Sequence, residues 1–318
     1  MLRVGRIKES VYKRSVIKQL HNDKKRTPFD AARTIVVDGW TLAADRIVTN
    51  MINTFVADRS YPSTISVSLV MPEGTEEEDF RRFIVRFGSL CAGSDIRASV
   101  SDVRVLSEVK TPVFTAVGIT YDHHPEPMGK LAAGLDVVAA GAIACEGTAV
   151  LALEKEKQLK ERFAGFFVDA AKELFYAGAM PAIRVIMSSQ DAAGIAVREG
   201  GIFGGLWELG TIGKVGLDID LRSIPVRQHT IEICEYFNIN PYMLLSGGCM
   251  LLTAPGGEAL VSALSQEGIP AAVIGRTCSG NDRIVRYDDE IRYLEPAGTD
   301  EIYRIKSFLP DLSEQISE

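Results

Sequence analysis

Between Ser63 and Met71 the chain alternates strictly. Ile65, Val67, Leu69 and Met71 fall on one side and serines or a threonine mostly on the other, the period of two expected of a half-buried strand. Ile35 to Val37 is a short β-branched run ending at Asp38-Gly39. The stretch after it, Leu42 to Phe55, sets Ile47, Met51 and Phe55 on one helical face, so a strand enters a turn and a helix leaves it. Thr75 and Glu78 have capping-box spacing, and Phe80, Phe83, Ile84 and Phe87 follow at i, i+3, i+4 and i+7. This predicts a helix with one apolar stripe, ending near Gly88. Two further strands are expected over Ser99 to Leu106 and Val113 to Thr120.

The second half is patterned differently. Asp136 to Leu153 reads as strand-like or mixed apolar segments, whereas Phe163, Phe166, Phe167, Ala170, Ala171, Leu174 and Phe175 have the spacing of a helix core stripe ending at Gly178. Helices are expected from near Gly200-Gly201, over Thr230 to Phe237, and over Glu258 to Gln266 with Gly268 just beyond its end. Strands follow over Ala271 to Gly275, Arg283 to Tyr287 and Glu290 to Leu294, the last two joined as a hairpin at Asp288-Asp289. Between the halves lies the polar stretch Asp122-His123-His124-Pro125-Glu126-Pro127. It divides the chain into residues 1–128, residues 129–305 and a polar tail, 306–318. The expected class is α+β in two domains. A basic amphipathic helix is expected within the first thirty residues, around Lys13, Arg14 and Lys18, as a solvated face, a shield for a cleft or a dock for an acidic partner.

Composition narrows the function classes. At 318 residues with 46% hydrophobic and 24% charged positions, the chain can bury substantial cores. Forty-two acidic against 35 basic residues give a formal charge of -7, which repels polyanions in the mean and argues against nucleic acid as the partner. The most apolar run, Gly134 to Leu153, is interrupted by Asp136 and Glu146, so no membrane span is expected. The N-terminus lacks the uninterrupted apolar core of a signal peptide, and the expected location is the cytoplasm. Cys91, Cys145, Cys234, Cys249 and Cys278 are odd in number and widely spaced. They read as buried free thiols rather than as a disulfide framework or zinc site. No Ser-His-Asp, Cys-His or HExxH constellation can be assembled, and no catalytic nucleophile is assigned.

Three segments are distinctive together: EGGIFGGLWELG from Glu199, then PVRQHTIEICEYFNINPYMLLSGGCMLL, then GIPAAVIGRTCSGNDRIV. Their order resembles the C-terminal half of the aminoimidazole ribonucleotide (AIR) synthetase superfamily, closest to its HypE-like branch of hydrogenase maturation factors, over roughly residues 134 to 305. A weaker resemblance runs through the first half. Val36-Val37-Asp38-Gly39 is similar to the superfamily's strand ending in an Asp that meets Mg-ATP, Asn53 stands at the Asn-Asp loop, and Asp102 sits where an acidic residue ends a later strand. The resemblance implies an N-terminal αβ domain whose sheet pairs with its twin in a homodimer, and a C-terminal αβ domain that helps close the cleft. It also implies ATP and magnesium as cofactors. The expected metal ligands are Asp30, Asp38 and Asp102, and the expected nucleotide-site residues are Asp38, Gly39, Asn53, Asp102, Arg198, Gly200 and Gly201.

Departures from the motifs mark that site as eroded. Phe29 replaces one neighbour of Asp30, Thr54 stands for the Asp of Asn-Asp, Arg59 for a glycine, Ile195-Ala196 for a His-Asp pair, and Arg198 for a small hydroxyl residue. The branch's terminal cysteine is absent, the chain ending Ile316-Ser317-Glu318. On context alone, Asp38 is either a metal ligand or a helix cap, and the glycines from Gly200 either face phosphate or permit tight packing. Two functions stay open: a metabolite- or nucleotide-binding protein with reduced or lost catalysis, or an active ATP-dependent enzyme that phosphorylates a carbonyl or amide oxygen. Weakened nucleotide binding with reduced magnesium dependence is the expectation.

Overall fold

The computed structural model describes residues 32–57, 59–120, 131–176, 185–186, 189, 191–296 and 298–306. Asp30, the basic N-terminal segment, the junction around Pro125 and the tail beyond residue 306 lie outside them.

The first sheet is built from β1 (Ala32–Asp38), β2 (Thr64–Pro72), β3 (Arg97–Leu106) and β4 (Val113–Ile119), in the order β1-β4-β2-β3. β4 runs antiparallel to both neighbours, and β2 and β3 are parallel with an irregularity between Val67 and Ser68. Two helices cover the inner face: α1 (Ala43–Ala57) after β1 and α2 (Glu77–Gly93) after β2. The alternation in β2 is realised, with Ile65, Val67, Leu69 and Met71 all buried. The Ile47, Met51 and Phe55 stripe of α1 is buried too and joins Phe83, Phe87 and Phe114 in one core.

Two expectations for α2 need correction. No capping box forms, because the Thr75 hydroxyl donates to the Pro72 carbonyl and Glu76 is the N-cap without a side-chain bond. Gly88 is interior, since the helix continues until Ser94 ends it.

The second sheet has seven strands in the order β11-β10-β7-β9-β5-β8-β6. The expected mixed segment from Asp136 resolves into strand β5 (Asp136–Ala140) and helix α3 (Cys145–Glu154). The helix α4 (Glu156–Arg162) ends at Phe163, which has an extended backbone, φ -114 and ψ 150. The expected helix through the phenylalanines follows it as α5 (Gly165–Lys172) and a 3-10 turn (Glu173–Tyr176), with Phe163, the first residue of the expected stripe, left outside it. Phe175 is buried and Phe163 stacks on Phe167, but Phe166 is 79% exposed. The remaining elements are β6 (Ala193–Ala196), α6 (Gly201–Gly213), β7 (Gly216–Asp220), α7 (Gln228–Phe237), β8 (Met250–Ala254), α8 (Gly257–Gln266), β9 (Ala271–Cys278), β10 (Arg283–Tyr287), β11 (Glu290–Tyr293) and α9 (Ile302–Lys306). β10 and β11 form the expected hairpin, with Asp288 at φ 50 in its turn.

The two halves share apolar packing. Ala140, Met250, Leu252 and Leu264 of the second sheet and its covering helix belong to the same core as α1 and α2. Four of the cysteines are buried and Cys278 is half-buried, all as free thiols. Among the described residues, no helix is long and apolar enough to cross a membrane.

Candidate functional site

Helix α1 is buried on more than its apolar side. Asp45, Arg46, Asn50 and Asn53 are each less than 7% exposed. Arg46, Asn50 and Asn53 fall at i, i+4 and i+7, one face of the helix. An isolated amphipathic helix would give that face to water. Here the second half of the chain covers it, so the polar stripe becomes the floor of a junction.

Arg46 donates from Nε to Glu146 Oε1 at 2.6 Å, and both side chains are buried, at 4% and 2% exposure. Its Nη1 donates to the Asp38 carbonyl at 3.1 Å, which fastens the end of β1. Glu146 lies in the first turn of α3 and accepts from the Gly247 backbone N-H through Oε2 at 2.8 Å. One guanidinium thus ties the β1 end to α3, and through α3 to the Ser246-Gly247-Gly248 turn. Burial works against the Arg46 charge, but Glu146, and then Asp38, hold its pKa above the ordinary range.

A second carboxylate sits nearby. Asp300 is fully buried and accepts three backbone N-H bonds: from Gly200 at 2.7 Å on Oδ2, and from Ile302 at 2.9 Å and Leu245 at 3.3 Å on Oδ1. Burial pushes its carboxyl up to about 7; the Ile302 and Gly200 donors oppose that rise, and the charges of Glu199 and Glu146 add to it. Tyr303 is pushed well above the ordinary phenol range by burial and then by the charges of Asp38, Glu199 and Asp300, with Arg46 opposing. Asp38, Arg46, Glu146, Glu199, Asp300 and Tyr303 are therefore one electrostatic neighbourhood.

Of the residues nominated from sequence, Asp38, Gly39, Asn53, Arg198, Gly200 and Gly201 lie on the elements that meet at this junction. Asp38 ends β1, and Gly39 turns the chain at φ 76 while donating to the Pro112 carbonyl. The Arg198 carbonyl accepts from Gly201 and from Ser246. Gly200 and Gly201 have φ of 86 and 61, but the donor of Gly200 is taken by Asp300. A Cβ on Gly201 would lie 2.5 Å from the Tyr242 carbonyl oxygen. In this conformation the turn is packed against its own chain.

Asp102 is not brought to Asp38 within one protomer. It sits on β3, at the opposite edge of the four-stranded sheet from β1, three strand spacings or ~14 Å away. There it is exposed and paired with Arg104, whose hydrogen bond holds its carboxyl below the usual range. Among the replacements, Thr54 bonds back to the Asn50 carbonyl of its own helix, Arg59 reaches the Ala192 carbonyl at 3.3 Å, and Ile195 and Ala196 are strand residues of β6.

Sequence reasoning missed Arg46, Asn50, Glu146, Asp300 and Tyr303. The signal available was a helix with charged and amide residues at helical spacing, which by itself reads as a solvated face.

The donor set of the described residues, which leave out Asp30, does not make a resident magnesium site. Among the described residues, no three of His, Cys, Asp and Glu stand together as metal ligands, and Glu146 is engaged by Arg46 and Gly247.

Comparison with known proteins agrees with this fold. Residues 132–288 match the family described as AIR synthase related protein, C-terminal domain. The chain is 22% identical over 247 residues to a carbamoyl dehydratase HypE from Rhodobacter capsulatus, covering 75% of this chain and 71% of that protein. The crystal structure of Escherichia coli HypE superposes with a TM-score of 0.71 at 17% identity, covering 88% of this chain and 92% of that one. A HypE structure in complex with ATP superposes with a TM-score of 0.65 at 17% identity, over 95% and 98% of the two chains.

Proposed function

We propose that this chain, a member of the AIR synthetase superfamily on its HypE-like branch, is a nucleotide-binding protein with reduced or lost magnesium-dependent turnover, its cleft lying where the two halves meet. The observation that carries the reading is the buried guanidinium of Arg46 at the Asp38 strand end. A fixed cation, itself neutralised by Glu146, stands beside Asp38, the one nominated acidic residue at the junction, and three further acidic positions of the superfamily motifs are replaced by Phe29, Thr54 and Ala196. Phosphoryl transfer depends on metal ions that bridge and neutralise phosphate oxygens, so losing ligands lowers turnover more than it lowers binding. The ATP complex of a HypE with the same fold supports ATP as the ligand to test.

The active enzyme is the second reading, and one observation favours it. Asp38, Glu199 and Asp300 act together on Tyr303, which gathers acidic groups that the motif comparison did not count. We further propose a homodimer through the outer face of the four-stranded sheet. That face carries Val36 at 63% exposure and the half-buried Thr115, Val117, Ser66, Ser68 and Val70, and its edge strand β3 exposes Val103 and Val105. The division into residues 1–128 and 129–305 is part of the same proposal.

Calorimetry with ATP, with and without magnesium, beside a phosphate-release assay, tests the function. Binding that changes little with magnesium, without turnover, is expected. Strongly magnesium-dependent binding with steady turnover, abolished by Asp38→Ala, would restore the enzyme reading. Light scattering at micromolar concentration tests the dimer, and a stable monomer would rule it out.

A further inference from the structure

The seven-stranded sheet ends on an open strand. β11 has β10 on one side and, among the described residues, no strand on the other. All four of its residues are exposed, Ile291 at 57% and Tyr293 at 69% on one face, Glu290 and Arg292 on the other. Its backbone groups alternate in the same way. The Leu294 N-H donates to the Arg283 carbonyl across the hairpin, so Arg292 opposite Val285 and Glu290 opposite Tyr287 also turn their backbone groups toward β10. Those of Ile291 and Tyr293 point out of the sheet. A strand blunted against pairing carries like charges, a proline or a bulge; β11 has none of these, and its two charges are of opposite sign.

We infer that β11 pairs antiparallel with β11 of a second copy of this chain, about a two-fold axis through Ile291. The charge order of the strand selects that occupant and that register. A two-fold axis perpendicular to the sheet keeps each face on its own side, so opposed residues must share a face. Centred on Ile291, the pairing sets Glu290 of each copy opposite Arg292 of the other, giving two opposite-charge pairs. Centred on Glu290 or Arg292, it would set like charges face to face. The Ile291 register also uses the outward backbone groups, since Ile291 opposes its twin and exchanges both N-H bonds with it. Within one chain Arg292 already pairs with Glu290 while both stay in water, so each can change partner without desolvation. On the other face Tyr293 reaches diagonally to Ile291 of the second copy, which covers the exposed apolar pair. The contact is independent of the nucleotide reading and lies on a different sheet from the proposed dimer face.

So small a contact is transient, and the test captures it covalently. In the full-length protein with Cys278→Ser, which removes the one cysteine that is not buried, Ile291→Cys places two thiols on a hydrogen-bonded antiparallel pair. Its Cα atoms are ~5.5 Å apart, within disulfide range. Mild oxidation is expected to give a reducible covalent dimer on a non-reducing gel. Arg292→Cys, two residues out of register with its own twin, is expected to cross-link about fivefold more slowly or less. Adding Glu290→Arg to Ile291→Cys opposes arginine to arginine and is expected to slow cross-linking about fivefold. Adding Arg292→Glu as well restores opposite charges and is expected to restore the rate. Equal rates for Ile291→Cys and Arg292→Cys would overturn the inference by showing random collision. A double charge reversal as slow as the single one would overturn it too, and absence of any cross-link would leave the edge to a different chain.

Discussion

Asp102 and Asp300 are two aspartates with opposite fates. Asp102 stands on an edge strand, half-exposed, paired with Arg104 two residues away, its carboxyl held below the ordinary range. Asp300 is fully buried where the two halves meet, held by the backbone donors of Gly200, Leu245 and Ile302, its carboxyl raised to about 7. Motif position singled out the first and passed over the second. Chemistry follows desolvation and convergence, and neither is a property of a short sequence window.

The largest effect should come from breaking the tie that creates the buried region. Arg46→Ala leaves Glu146 uncompensated in the interior and is expected to cost about 3–5 kcal/mol, read as a fall in the denaturation midpoint at unchanged m-value. Gly201→Ala follows. Its φ of 61 and the approach of the Tyr242 and Met243 backbone force a local shift, expected to cost about 2–3 kcal/mol in the same measurement.

Asp300→Asn sharpens the comparison through pH. A folded pKa raised from 3.8 to about 7 means that the native state holds the proton more tightly than the unfolded chain. The stability it contributes is complete below about pH 4 and is lost as pH rises through 7. Denaturation curves between pH 4 and 8 should therefore show wild-type stability falling with a component that flattens in the variant. At acid pH the variant should lie lower by about 1–3 kcal/mol, because an amide cannot replace both accepting oxygens. Asp102→Asn is the smallest change, with no measurable shift in midpoint expected, since its partner Arg104 is as open to water as it is. Had Asp102 shared a metal with Asp38 within one protomer, that variant would also lose nucleotide binding, which calorimetry would detect.

Legibility followed the range of the interactions. β2 was readable because alternation is local, and the Ile47, Met51 and Phe55 face of α1 because 3.6-residue spacing is local. The Phe163 to Phe175 stripe misled at its start, because its spacing suits one helix while Phe163 takes an extended backbone before that helix begins, and at Phe166, which faces water. Strands β6, β7 and β8 passed unnoticed: they are four or five residues long and largely buried, so they lack the alternation that marks β2.

By itself, the sequence determined the α+β class, the apolar faces of the main elements, the superfamily likeness of the second half, and Asp38 at the end of its strand. Only the tertiary structure decided that the polar stripe of α1 is interior, that Arg46 meets Glu146 across 100 residues of chain, and that Asp300 fills the donors at Gly200. The reason is physical. A periodic pattern records which side of an element avoids water, but whether its polar side keeps water depends on what later folds over it, and that covering comes from residues remote in the chain.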